Sequence, residues 1–262
     1  MAKVATFVVN SDLLNCIRMI NNFAPERCVL CDKILYGTCR VDAWGRKFCM
    51  EHSIDVCSNC GRITGANDLH LADGRHICNN CIDKVVRKPE HVEWVYVRIR
   101  DIFAKNFLAL PDKIPVEVVT AAQMAELAAK RLGDASRLPF GLASSGGIGI
   151  FGTKMNHQVY MLDYQHKVNF GGVLAHELLH VWQSEHRIKL QSRYAEGFCN
   201  LGTYLFYKFI NNEYTEKLIQ SMMANPDPIY GDGFREVKSI FESVGCNNLE
   251  KTMEILVQKD RR

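Results

Sequence analysis

The stretch VLAHELLHVW, residues 173–182, sets two histidines four residues apart with a glutamate directly after the first. On a helix, residues four apart share one face. The His176 and His180 imidazoles can therefore converge on one zinc ion while Glu177 points beside the open coordination position. A helix with two unrelated imidazoles is the competing reading, and it is the default for His157, His166 and His186, each of which stands alone.

A catalytic zinc site needs a third protein ligand. Glu196, in YAEGFCNLGTYLFYKFI, lies 16 residues beyond His180 on a second long helical pattern, with SEHRIKLQSR as the turn between. This order of ligands is the gluzincin arrangement. Asn200, one turn after Glu196, is placed to accept a hydrogen bond from His176 and so fix its tautomer. The alternative for Asn200 is an ordinary polar position on a helix.

The second signal lies upstream. Seven of the eleven cysteines fall in pairs between residues 28 and 81: Cys28 with Cys31, Cys57 with Cys60, Cys78 with Cys81, and Cys49 with His52. The gap from Cys31 to Cys49 and the gap from Cys60 to Cys78 are both 17 residues, and AWGRKFCMEH parallels LADGRHICNNC, so the segment is an internal repeat. A C-x2-C turn points two thiolates into one tetrahedral site, and a second pair on a returning hairpin completes it. The expected structural zinc sites are Cys28, Cys31, Cys49, His52 and Cys57, Cys60, Cys78, Cys81. A disulfide framework is the rival and would need an oxidising compartment. Cys16, Cys39, Cys199 and Cys246 have no partner at ligand spacing and read as small buried apolar residues. The two units, four residues apart, make a LIM-like double zinc module. A regular LIM domain has H-x2-C where this chain has C-x2-H. Such modules bind proteins, and only Lys84, Arg87 and Lys88 keep nucleic acid as a lesser alternative.

The rest of the chain sets bounds. Its 262 residues, 47% hydrophobic with a net charge of +3, suit an ordinary globular protein and give no field that points to nucleic acid. No apolar run approaches the roughly 20 residues of a membrane-spanning helix. The opening MAKVATFVVNSDLLNC is interrupted at Asn10, Ser11 and Asp12 before it becomes a signal-peptide core, so the expected location is the cytoplasm. Three segments are expected: 1–26, with a short helix near SDLLNCIRMINNF; the module, 27–88; and a zincin-type metallopeptidase domain, 89–262. HVEWVYVRIRDIFAKNFLAL carries Val92, Val95, Ile99, Ile102 and Phe103 at helical intervals and reads as a helix bridging the two domains. IPVEVVT reads as a strand, AAQMAELAAKRL as a helix closed by Gly133, and HQVYMLDY as a strand able to pair with an extended substrate. FGLASSGGIGIFG lacks the lysine and context of a phosphate loop and reads as a flexible segment and a strand beside the site. The fold class is α+β: a zinc module, then a mainly helical domain with a small sheet.

Taken in order, the two zinc units, LAHELLHVW, AEGFCN and DPIYGDGFR resemble the plant "DA one" family of LIM-containing, ubiquitin-activated peptidases, over roughly residues 28 to 240. The resemblance implies an endopeptidase fold and zinc at three sites. The ubiquitin-interacting motifs and the regular LIM domain that precede this region in those proteins have no counterpart here, so ubiquitin binding is not among the expectations. The family has a second acidic residue before the ligand glutamate, where this chain has Ala195. On this reading a protein or peptide is the substrate and a regulatory protein the partner of the module. His176, His180 and Glu196 hold the catalytic zinc, Glu177 is the general base, and Tyr230 is the oxyanion donor unless Asp232 and Arg235 make its loop a structural clamp. The alternative function is a zinc-stabilised interaction adapter that cleaves nothing.

Overall fold

The computed structural model describes residues 6–7, 25–111, 113–133, 138–148, 154–245 and 247–261. The expected N-terminal helix, Cys16 and Cys246 lie outside the described residues. The chain forms two compact units, Met1–Lys84 and Val85–Arg262. This division precedes the 88/89 boundary read from cysteine density, because Val85 pairs with His166 and the Val86 N–H donates to Gln165 O at 2.9 Å.

In the first unit, strands β1 (Thr6–Phe7), β2 (Cys39–Val41) and β3 (Lys47–Phe48) form one antiparallel sheet, and β4 (Leu69–His70) and β5 (His76–Ile77) a hairpin, followed by the single-turn helix α1 (Asn79–Ile82). Each repeat places its first cysteine pair in a turn closed by an isolated bridge, Arg27 with Ile34 and Val56 with Ile63, and its second pair just after a hairpin. Asp42 joins the repeats. Its carboxylate accepts from the N–H groups of Trp44, Arg46 and Ile63 and from the Arg46 guanidinium. Burial pushes this carboxyl up, but those donors outweigh it and hold Asp42 below its ordinary value. Trp44 adds a second tie: its indole donates to Cys60 O at 2.7 Å, and the Arg62 guanidinium lies over its ring.

The second unit is built around one helix pair. Helix α2 (Pro89–Lys105) precedes strand β6 (Val116–Val119), helix α3 (Ala121–Leu132) and the hairpin β7 (Gly141–Ile148) and β8 (Lys154–Leu162). Next come α4 (Lys167–Glu185), α5 (Ser192–Ile210), α6 (Glu213–Met223), a π-helical turn (Pro228–Asp232), α7 (Gly233–Ser243) and α8 (Leu249–Asp260). Helix α2 belongs to this unit, with Val95, Ile99, Ile102 and Phe103 buried in its core. A Thr120–Gln123 capping box starts α3, and left-handed Gly133 ends it as expected.

The sheet order is β6-β8-β7, with β6 parallel and β7 antiparallel to β8. One face, with Leu142 and Leu162, packs on Met124 of α3, and the other, with Val159 and Met161, on the helical core. Strand β8 is thus paired on both sides and has no edge to offer a substrate. Among the described residues the outer strands of the sheet are β6 and β7, and β7 is formed by the glycine-rich stretch read as partly flexible; residues 149–153 of that stretch lie outside the described residues. Helix α4 is apolar nearly all round, with Leu174, Ala175, Leu178, Leu179 and Val181 fully buried, as a central helix must be. Helix α5 packs against α4 and α7. At Gly197 a Cβ would meet Gly233 O at 2.5 Å, so glycine lets α7 approach the backbone beside Glu196.

Candidate metal centres and the cleft

The donor atoms of Cys28, Cys31, Cys49 and His52 lie within 4.8 Å of one another, and so do those of Cys57, Cys60, Cys78 and Cys81. Zn–S bonds of about 2.3 Å at tetrahedral angles separate sulfurs by about 3.8 Å. Cys31 Sγ and Cys49 Sγ are 3.9 Å apart, and Cys60 Sγ and Cys78 Sγ 3.6 Å. His52 Nε2 is buried without a hydrogen-bond partner, as a ligand nitrogen would be. Hydrogen bonding to Cys60, Cys78 and Cys81 lowers Cys57; the bond with Cys57 raises Cys60, but those with Cys78 and Cys81 outweigh it and leave Cys60 lowered, while Cys57 and then Cys60 raise Cys78 and Cys81. Four thiols so close cannot all ionise unless a cation sits among them. No disulfide joins the nine described cysteines. Both clusters fit structural zinc.

The second unit brings together the residues singled out in the opening stretch. His176 Nε2 and His180 Nε2 are 3.1 Å apart, and Glu196 Oε2 lies 3.1 Å from the first and 3.5 Å from the second. A tetrahedral ion with bonds of about 2.0–2.1 Å needs donors about 3.3–3.4 Å apart, so this triangle fits zinc. Burial pushes the Glu196 carboxyl up, yet the two imidazoles more than offset it and hold Glu196 down at about 2. Burial lowers His180, but Cys199 and Glu196 reverse that and push it up to about 12. Both shifts express the attraction of one pocket for positive charge.

The supports come from three elements. His176 Nδ1 faces Asn200 Oδ1 at 3.1 Å, while Asn200 Nδ2 donates to Tyr230 O at 2.9 Å, which fixes the amide's orientation. Glu177, only 8% exposed, accepts the Ala143 N–H on its Oε2 at 2.8 Å. Strand β7 comes this close because Gly141 has no side chain: a Cβ there would meet Val173 Cγ1 at 2.6 Å and Glu177 Cγ at 2.9 Å. Tyr230 sits in the π-helical turn with its ring half exposed, beside an Arg235 clamp on Asp232, Met223 O and Asn225 O. Loop clamp and cleft-lining phenol therefore coexist. The histidine and glutamate side chains keep 16–29% exposure and border a cleft of about 930 Å3.

Two residues, Cys199 and His157, were misread from the sequence alone. Cys199 is wholly buried as expected, but its sulfur is no inert filler. It lies within 4.8 Å of the donor atoms of His176 and His180 and accepts from Gln183 Nε2 at 3.2 Å. His157 is not solitary: it contacts Ser145 and Glu185. His166 caps α4 by accepting from the Val168 N–H, while His186 stacks on Trp182. The contacts of Cys199 and His157 join elements 12 to 28 residues apart, so no local spacing announces them. The Ala143 N–H was legible only as "a strand beside the site".

Fold and sites together define a zinc-binding protein in which a LIM-like module accompanies a helical unit with a His, His, Glu pocket. It is a distant relative of the plant DA1-type LIM-domain proteins. It is 21% identical to Protein DA1 of Arabidopsis thaliana over 80% of this chain and 50% of that one, and 25% identical to the LIM domain-containing protein HDR3 of Oryza sativa subsp. japonica over 62% and 39%. Protein DA1-related 7 of Arabidopsis thaliana is 20% identical over 83% and 50%. The chain thus spans half or less of the length of these relatives. No family profile and no solved structure matches it.

Proposed function

We propose that the protein is a zinc-dependent endopeptidase holding three zinc ions, two structural and one catalytic. The observation that carries this reading is the convergence of His176, His180 and Glu196 at 3.1–3.5 Å beside Glu177, within one solvent-reached cleft. Three protein donors leave a coordination position open, which a purely structural site does not need. When bound, zinc supplies an electrophile that acidifies water and polarises a carbonyl. The chain's residues do the rest. An extended peptide pairs with the free edge of β7, where backbone groups alternate with those already paired to β8. Glu177, one oxygen held by Ala143, takes the proton of the attacking water and passes it to the leaving amine. Tyr230 donates its phenolic proton in a hydrogen bond to the developing oxyanion. Asn200 holds His176 in the tautomer whose Nε2 is free to ligate.

The LIM-like module serves protein interaction or restraint, and protein chains are the substrates. Thiolate ligands in seven positions call for a reducing compartment, the basis for assigning the cytoplasm.

The test is cleavage of a diverse peptide library by zinc-loaded protein beside Glu177→Gln, with metal content counted in both. The variant is expected to lose roughly 10²- to 10⁴-fold in rate with unchanged zinc. Equal rates, or no cleavage by a chain carrying all three ions, would favour the adapter instead.

A further inference from the structure

Ser145 on β7 and His157 on β8 stand directly opposite each other. Ser145 Oγ is 2.8 Å from His157 Nδ1, and His157 Nε2 is 2.6 Å from Glu185 Oε2 at the end of α4. A carboxylate only accepts, so Nε2 carries the proton. In the neutral ring Nδ1 is then a bare acceptor, and the Ser145 hydroxyl donates to it. That hydroxyl's single proton is committed inward, and it offers only lone pairs elsewhere.

Ser145 also lines the cleft that holds His176, Glu177, His180 and Glu196, and Gln183 and Ser184 continue the lining toward the end of α4. It lies two residues beyond Ala143, about 7 Å along the strand from the N–H that holds Glu177. Behind it, the Glu185 side chain is 41% exposed and pairs with no lysine or arginine among the described residues. The last turn of α4 has no basic residue to offset the negative end of the helix, and Arg187 and Lys189 beyond it are exposed. Elsewhere the cleft lining includes the apolar side chains of Val173, Leu218 and Met222 and the neutral Thr203, Tyr207 and Ser221.

We propose that Ser145, His157 and Glu185 form an acceptor subsite that selects a cationic donor, a protonated amine or a guanidinium, on the peptide lying along β7. This rests on the peptidase reading of the same cleft. His157 sets the direction of the Ser145 hydroxyl, and Glu185 supplies the charge. The donor is either an internal lysine or arginine or the peptide's own amino terminus.

The experiment uses peptides carrying Lys, Arg, norleucine or citrulline at each position flanking the scissile bond, with free or acetylated amino termini. kcat/KM is measured for the zinc-loaded wild type, Ser145→Ala and Glu185→Gln. Equilibrium binding of the same peptides is measured on Glu177→Gln and on Glu177→Gln combined with Glu185→Gln. A hydrogen bond to a charged group predicts a preference of roughly tenfold or more for the cation over its neutral counterpart at one position. Glu185→Gln should shrink it to within about threefold, and Ser145→Ala should fall between. If the preference follows the free terminus, the subsite stands with the terminal amine as its ligand. Cleavage without preference for a cation, or a preference untouched by both variants, overturns the subsite and leaves the peptidase reading intact. If nothing is cleaved but Glu177→Gln binds cationic peptides more tightly, and Glu185→Gln abolishes the difference, the subsite stands and the peptidase reading falls. Absence of both overturns both.

Discussion

The two units use the same ligand chemistry in opposite ways. In Met1–Lys84, Cys57, Cys60, Cys78 and Cys81 are all buried, and the donors of both clusters stand on turns and loops beside two- or three-residue strands, with Cys81 on the single-turn α1. Among the described residues, Cys28, Phe48 and Ile63 form a small apolar cluster beside them, and Ile77 is buried as well. In Val85–Arg262 the three donors stand on 19-residue helices packed in a large core, and stay partly exposed. Among the described residues, the donor clusters of the first unit stand beside little apolar packing, whereas those of the second are held by a large core. A saturated shell therefore belongs with little supporting structure, and an open shell with much of it.

The sharpest way to break this contrast is to remove one ligand from each side. Cys57→Ala should abolish the fold of its own unit, since structural zinc contributes on the order of 10 kcal/mol or more there. Hydrogen exchange should show amides around residues 57–81 losing protection while those of α4 and α5 keep theirs; retained protection around 57–81 would sink the contrast. Next in size, Asn200→Ala should leave both cysteine clusters loaded but weaken zinc at the third site roughly 10- to 100-fold, read by chelator competition. Unchanged affinity would mean that His176 is held by packing alone.

Smaller effects test how far the core prepares the site. Gly197→Ala places a methyl 2.5 Å from Gly233 O next to Glu196. It should cost about 1–3 kcal/mol by denaturant unfolding and weaken the third site along with it. The smallest effect is expected at Glu236, which pairs with Arg193 and Lys259 away from any cluster. Burial pushes this carboxyl up, but Lys259 and Arg193 outweigh it and hold it below its ordinary value of 4.5. A depressed carboxyl stabilises the fold above that ordinary value and loses the contribution as pH falls through the depressed one. Glu236→Gln should thus cost about 1 kcal/mol at neutral pH. The gap from wild type should close below about pH 4, with zinc content unaffected.

What could be read in advance depended on sequence distance. Donors paired within four residues, such as His176 with His180 or Cys28 with Cys31, announce themselves because a turn or helix converts spacing directly into direction. Glu196 and Asn200 were within reach because two long helical patterns joined by a short turn must pack side by side. The edge position of β7 was not, since the order of strands in a sheet leaves no mark on a single strand; β8 was the strand expected to pair with substrate, and β6 and β7 occupy both its sides. Cys199 and His157 were passed over for the same reason. Their partners Gln183, Ser145 and Glu185 sit 12 to 28 residues away on other elements.

The sequence alone determined the α+β class, the two repeated cysteine clusters and the His176, Glu177, His180 triplet, because local spacing fixes local geometry. Tertiary structure alone decided which strand presents an edge, which N–H holds Glu177, and that a serine, a histidine and a glutamate meet at one end of the cleft. Those are contacts between elements, and only the packing of one element against another sets them.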